Sequence, residues 1–394
     1  MSYWKSIGLA LFAAVCLLSE TFSSAHAQGI FATEWSGGTA TKLASPGDSR
    51  ALGINDAGVV VGSGDVGDFG FETALEWNGG AAIDLGGLPG SERSIAGGIN
   101  NAGQVVGLSS DTATEWSGGS IINLGGLPGF TISATAGINN AGQAVGNSLV
   151  GPNNHPTEWS GGSIIDLGLP QGFLSGEAGA INDSGEVVGD VESSLLDGAP
   201  RATEWSGGSI INLGGLPGST GSSADGINDA GQAVGVSTVG GVDVATEWSG
   251  GSVIDLGGLP GSTGSSAVGI NEAGQAVGFS IVGGVDVATE WSGGSVIDLG
   301  GLPSFTTSAA QAINDAGQVV GYSDGLVPES STWAMMLFGF VGLGVLALRR
   351  KRKLTSEAAH RAAAPGPICR AVLYSGDFKM SLKVTPFLVS GAFQ

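Results

Sequence analysis

Cysteine and histidine are nearly absent from this chain. Its 394 residues include two cysteines, Cys16 and Cys369, and three histidines, and neither cysteine lies in the central part of the sequence. Disulfides therefore cannot hold that part together, and a zinc site lacks its usual ligands. A Ser-His-Asp or Cys-His site would need His155, which we interpret as a solvated loop residue before the fourth Glu-Trp pair. We predict no catalytic residue and no bound metal.

Basic residues are also scarce, and most lie near the C-terminus. Residues 28–326 contain 31 Asp and Glu residues but only four basic ones, at Lys42, Arg50, Arg93 and Arg201. Nucleic acid is excluded as a partner, because binding it requires clustered Lys and Arg. The acidic excess favours solubility and leaves an affinity for cations open.

The N-terminus has the pattern of a signal peptide. Lys5 provides a positive charge, and an uncharged apolar stretch of twelve residues follows from Ile7 to Leu18. This stretch is short for a membrane span. Ala25-His26-Ala27 supplies the small-x-small cleavage pattern, so we predict a signal peptide over 1–27 and a mature chain starting at Gln28.

An internal repeat fills the central part of the chain. A Glu-Trp pair recurs seven times, at intervals of 42, 39, 43, 46, 43 and 43 residues, and an Ile-Asn pair follows each one. The tryptophans are Trp35, Trp77, Trp116, Trp159, Trp205, Trp248 and Trp291. The asparagines are Asn55, Asn100, Asn139, Asn182, Asn228, Asn271 and Asn314. The repeats leave no room for another domain between 28 and 326.

Each repeat is divided into four short apolar segments by glycine-rich breaks. In the sixth repeat these segments are Ala245–Trp248, Ser252–Leu256, Ser266–Ile270 and Gln275–Ser280. Gly250-Gly251 and Asn271-Glu272-Ala273-Gly274 supply turn residues between them. Four antiparallel strands in about 43 residues match the blade of a β-propeller. We predict an all-β, seven-bladed propeller, with an open β-solenoid as the alternative.

The repeat resembles a known extracellular family. The order EW…GG…DLGGLPG…S.A.GIN.AGQ.VG.S is similar to that of HAF repeats, over roughly 290 residues. Ala-Thr-Glu precedes the tryptophan here, where the family has His-Ala-Phe. The family has no established activity, so the resemblance implies a fold and an extracellular location.

The C-terminal region closely resembles a PEP-CTERM sorting domain. Val327, Pro328 and Glu329 precede an apolar run from Trp333 to Leu348, about 24 Å long as a helix. The basic cluster Arg349, Arg350, Lys351, Arg352 and Lys353 follows. The resemblance implies that an exosortase processes residues 327–353 at the inner membrane of a Gram-negative bacterium, where they form a transient transmembrane anchor. Residues 354–394 form a tail without a clear pattern.

The repeated carboxylates suggest a cation site. Trp248 and Glu247 should point to opposite faces of their strand, so we expect Trp248 to pack between blades. If the Glu-Trp strand is innermost, seven glutamates ring the central channel and could bind calcium. These are Glu34, Glu76, Glu115, Glu158, Glu204, Glu247 and Glu290.

Two classes of function remain at this stage. The repeats and both signals indicate an exported, non-enzymatic surface or matrix protein, associated with exopolysaccharide, biofilm or other surface proteins. The alternative is a glycan-binding lectin or a carbohydrate-active enzyme on a propeller. An enzyme needs a divergent blade with clustered acids, and the fourth repeat comes nearest, with Glu186, Asp190, Glu192 and Asp197.

Overall fold

Seven four-stranded antiparallel sheets make up the described part of the chain. The computed structural model describes residues 28–65, 72–193 and 199–326. The sheets form the seven blades of a β-propeller. The residues described contain no helix that could cross a membrane. Ala25, Ala27, Asp197 and the predicted sorting signal lie outside the described residues.

The blades are numbered from the first complete sheet, and each is given from its inner to its outer strand. Blade 1 contains β3 (Ser49–Ile54), β4 (Val60–Asp65), β5 (Glu72–Trp77) and β6 (Ile83–Asp84). Blade 2 contains β7 (Ser94–Ile99), β8 (Val105–Ser109), β9 (Thr112–Ser117) and β10 (Ser120–Asn123). Blade 3 contains β11 (Phe130–Ile138), β12 (Ala144–Val150), β13 (Asn153–Ser160) and β14 (Ser163–Asp166). Blade 4 contains β15 (Ser175–Ile181), β16 (Val187–Glu192), β17 (Arg201–Ser206) and β18 (Ser209–Asn212). Blade 5 contains β19 (Ser219–Ile227), β20 (Ala233–Val239), β21 (Val242–Ser249) and β22 (Ser252–Gly257). Blade 6 contains β23 (Ser262–Ile270), β24 (Ala276–Val282), β25 (Val285–Ser292) and β26 (Ser295–Asp298). Blade 7 contains β27 (Thr307–Ile313) and β28 (Val319–Leu326), then β1 (Gln28–Ser36) and β2 (Thr39–Lys42).

A blade does not coincide with one sequence repeat. Each sheet joins the last two strands of one repeat to the first two of the next. In blades 5 and 6 the joining turns are Gly240-Gly241 and Gly283-Gly284, four glycines with positive φ that suit two-residue hairpins. Because of this offset, the N-terminal strand β1 completes blade 7 by pairing with β28. All seven sheets are thus complete within residues 28–326.

The Ile-Asn strand is the innermost strand of every blade. One cavity of about 450 Å³ is lined by three consecutive residues from each of these seven strands, which therefore surround the axis. The Glu-Trp strand is third from the axis. The premise that it is innermost is wrong, so the seven glutamates do not ring the channel.

The tryptophans join the blades. All seven are at most 5% exposed. Trp248 of blade 5 packs with Val188 and Ala202 of blade 4, which confirms its expected place between blades. Its Nε1 donates to the carbonyl of Gly214, in the loop that links the two blades, at 3.3 Å. Large aromatic surfaces are therefore buried at the seams, where they hold neighbouring sheets together.

A closed ring of hydrogen bonds joins the inner hairpins of all seven blades. The Nδ2 of each Ile-Asn asparagine donates to the backbone carbonyl of the equivalent asparagine in the next blade, at 3.0 to 3.2 Å. The bond from Asn314 to Asn55 closes the circle. These asparagines are buried, so each lost bond would leave a polar group without a partner.

This ring predicts a high cost for removing one asparagine. Asn139 also donates to Gln143 Oε1 and accepts from the backbone N–H groups of Ala141 and Gln143. We expect Asn139→Ala to lower the free energy of unfolding by about 3 kcal/mol, because several buried groups lose their partner. Chemical denaturation measures this. Asn153→Ala is the control, since the Asn153 side chain has no hydrogen bond to the described residues; an equal effect of both changes would contradict the role of the ring.

Candidate functional site

The axial channel has a polar mouth on the side of the Ile-Asn turns. The residue after each ring asparagine donates its backbone N–H to the side-chain oxygen of its counterpart in the next blade, at 2.7 to 3.1 Å. These residues are Asp56, Asn101, Asn140, Asp183, Asp229, Glu272 and Asp315. These five acids and two asparagines thus form a second closed ring, which repeat spacing did not reveal. Burial raises the pKa of Glu272, and neighbouring ring acids add to the effect.

Below this mouth the side chains that line the channel are mostly apolar. Isoleucines 54, 99, 138, 181, 227, 270 and 313 line both the mouth cavity of about 370 Å³ and the larger cavity of about 450 Å³. The wall of the larger cavity is otherwise made mainly of glycine, alanine, leucine and valine. Asp225 of blade 5 and Gln311 of blade 7 are the exceptions among its lining residues. Asp225 is therefore the ionisable group in this cavity wall.

Two carboxyl groups meet at one serine on the seam between blades 4 and 5. Ser223 Oγ lies 3.2 Å from Asp225 Oδ1 and 3.3 Å from Asp190 Oδ1. Asp190 is on β16, whereas Ser223 and Asp225 are on the inner strand β19. A hydroxyl has one proton and can donate to only one carboxylate at a time. The geometry therefore favours a proton on one of the two carboxyl groups.

The surroundings of this pair favour the neutral form. Burial, followed by the charges of Glu177, Asp225 and Glu192, raises the pKa of Asp190 to about 7, although the Ser223 hydrogen bond opposes the shift. Burial raises the pKa of Asp225 to about 6. An acid with such a pKa can hold or release a proton near neutrality, as general acids and bases do.

This pair breaks the symmetry of the propeller. The positions equivalent to Asp190 are Ser63, Leu108, Asn147, Val236, Phe279 and Tyr322. The positions equivalent to Asp225 are Leu52, Gly97, Ala136, Gly179, Val268 and Gln311. Asp190 and Glu192 were suggested by the acids of the fourth repeat, but Asp225 and Glu177 were missed. The sequence did contain a signal for this pair: each carboxylate stands at a position that the other repeats fill with small, apolar or amide residues.

The Glu-Trp glutamates lie along the seams, each on the opposite face from its tryptophan. Five of them accept a hydrogen bond from a glutamine Nε2 at 2.9 to 3.1 Å: Glu34, Glu115, Glu158, Glu247 and Glu290. Glu186 occupies the glutamine position beside Glu204. Burial, with a smaller effect of the Glu186 charge, raises the pKa of Glu204. The described residues contain no group of His, Cys, Asp or Glu arranged to hold a metal ion.

We predicted that His155 lies in a loop, and this is wrong. It lies within β13, and its Nδ1 is 3.2 Å from Asp166 Oδ2 on the adjacent strand β14. The strand continues through His155 because its backbone pairs with Ser148. No described cysteine accompanies it, and Asp166 is its hydrogen-bonding carboxylate.

The fold has a likeness among solved structures, but the sequence matches no known family. No protein-family model matches the chain, and no curated protein matches it. Among solved structures, the chain is similar to TolB from Acinetobacter baumannii, with a TM-score of 0.40 and 11% sequence identity. The match covers 68% of this chain and 65% of the TolB chain.

The Asp190–Asp225 pair predicts a pH dependence of stability. Both groups bind a proton more tightly in the folded than in the unfolded chain, so stability should fall as the pH rises from about 4 to about 7. Asp190→Asn should remove most of this loss of stability, and the part removed is on the order of 3 kcal/mol. Urea unfolding across this pH range measures it. Asp111→Asn, at an exposed turn, is the matched control and should leave the slope unchanged.

Proposed function

We propose that this protein is an exported, non-enzymatic component of the cell surface or extracellular matrix, whose propeller serves as a structural and interaction unit. The HAF-type repeats, the N-terminal signal peptide and the PEP-CTERM-like segment all favour this function. Exosortase processing at the inner membrane, and association with exopolysaccharide or other surface proteins, belong to the same proposal.

The observation that carries the proposal is the fit of the propeller between the two predicted signals. The first strand, β1, starts at Gln28, which is the predicted first residue after signal-peptide cleavage. The last strand, β28, ends at Leu326, next to the predicted sorting signal. Gln28 and Leu326 are register partners in blade 7. Both signals could therefore be removed without taking a strand from any blade.

The composition of the folded part agrees with a binding or structural role. The seven blades repeat the same contacts, and five of the seven Glu-Trp glutamates accept a hydrogen bond from a glutamine. Substrates are asymmetric, whereas these features follow the seven-fold repeat. Repeated surfaces suit a protein that contacts a polymer or several partners at once.

A carbohydrate-active enzyme or lectin is the second candidate. The observation that favours it is the Asp190–Ser223–Asp225 arrangement, since glycosidases use a pair of carboxyl groups with different protonation states. Hydrolysis of a glycan that is abolished by Asp190→Asn would support the enzyme. Binding of the same glycan without turnover would support a lectin.

Export and processing are tested by following the chain in a host that has an exosortase. We expect the surface fraction to contain a protein that begins at Gln28 and lacks Arg349–Lys353, as measured by intact mass and N-terminal sequencing. A host without the exosortase is the control, and there the basic cluster should remain. Surface material that retains Arg349–Lys353 in the exosortase host would contradict the proposal.

A further inference from the structure

Within the described residues, the outermost strand of each blade has an edge that pairs with no other strand. In blade 2, Leu124 N–H donates to the Ala113 carbonyl at 2.9 Å, just past the end of β10. Backbone groups of an antiparallel strand alternate in direction, so Ile122 faces the blade while Ile121 and Asn123 present their N–H and C=O groups outward. The same turn and register recur in blades 3 to 6. The rim of the propeller therefore carries open edges that could accept another strand.

These edges expose isoleucine and contain neither lysine nor proline, although the strands are short and β22 pairs with β21 through a bulge. Six outer strands contain an isoleucine followed by Asp or Asn, and that isoleucine is 41–52% exposed in each of them. The residues are Ile83, Ile122, Ile165, Ile211, Ile254 and Ile297. Proteins normally block exposed edges with lysine, proline or a bulge. The strands β6, β10, β14, β18, β22 and β26 contain no lysine and no proline.

Blade 7 differs from the other six. Its outer strand β2 has the sequence Thr-Ala-Thr-Lys and no isoleucine. Lys42 Nζ lies 3.1 Å from the centroid of the Phe31 ring, so a cation stands at the end of this edge. One outer strand thus contains a lysine, and the other six do not.

We propose that each of these six outer strands can pair, edge to edge, with an outer strand of another copy of this chain. An antiparallel contact must bring outward-facing backbone groups opposite each other. In blade 3 this requirement sets Ile164 against Asp166 of the other copy and Ile165 against Ile165. The contact is two-fold symmetric, with the exposed isoleucines at its centre. The strand is therefore complementary to itself.

The position of the charges favours the same arrangement. The Asp or Asn at the end of each outer strand lies at opposite ends of the antiparallel contact, so the two carboxylates do not face each other. A parallel contact would bring them side by side, at an electrostatic cost. The acidic excess of the whole ring opposes any association of two copies. We therefore expect the contact to strengthen when salt screens that repulsion.

Each contact is short and weak by itself. A strand of four residues buries little surface compared with a stable dimer interface. Because the six edges lie around the rim, each can meet a different copy, so one ring can join several copies through weak contacts. The copies should therefore associate at high local concentration and separate on dilution. This inference concerns the ring alone and does not depend on the proposed export.

Sedimentation equilibrium of residues 28–326, which contain every strand of the seven sheets, tests the proposal. We expect the average mass to rise from micromolar to millimolar concentration and to rise further with added salt. The edge variant replaces the six exposed isoleucines by lysine, at 83, 122, 165, 211, 254 and 297. It should weaken association about tenfold or more, because lysines then meet at the centre of each contact. Association should weaken even though the variant carries less net negative charge, a change that by itself would favour association.

A matched control separates edge pairing from charge. Six lysines replace exposed alanines of the Ile-Asn turns, at Ala57, Ala102, Ala141, Ala230, Ala273 and Ala316, and add the same charge on another face. This variant should associate at least as strongly as the wild type. If lysine at the edges prevents folding, as circular dichroism would show, threonine at the same positions is used instead. A wild type that stays monomeric, or equal behaviour of edge and control variants, would overturn the proposal.

Discussion

The interaction on which the rest of this propeller depends is the circle of asparagine hydrogen bonds around its axis. Each asparagine holds its own inner turn and the inner turn of the next blade, so no blade reaches its final position independently. The circle also requires a complete set of blades, because the last bond, from Asn314 to Asn55, joins the last repeat of the chain to the first. Tryptophans perform the corresponding apolar role further out, where they cover the seams.

Closure by blade 7 follows from the same constraint. If each repeat formed its own blade, the first and last sheets would meet only through side chains. The offset between repeat and blade instead places β1 beside β28, with eight backbone register pairs between the two ends of the ring. Backbone hydrogen bonds thereby hold the ring closed at the point where the chain is interrupted.

Against this symmetric background, the informative residues are those that differ between blades. Asp190 and Asp225 face each other across one seam, where other blades have apolar, small or uncharged polar side chains. Their raised pKa values result from burial without a basic partner nearby, and not from any special feature of the aspartates themselves. On the rim, blade 7 is the one that differs: its outer strand contains a lysine, whereas the outer strands of the other six blades expose an isoleucine.

The sequence by itself determined the number of blades, the four strands in each, the turns between them and the burial of the tryptophans. These features are local: apolar periodicity, glycine at positive φ and the Asn-centred turns act within about 43 residues. Only the tertiary structure decided which strand is innermost, because all four strands of a repeat are short and of similar polarity. That choice places asparagine, and not glutamate, at the axis. It also brings together Asp190 and Asp225, which are distant in sequence and meet only because neighbouring blades pack face to face.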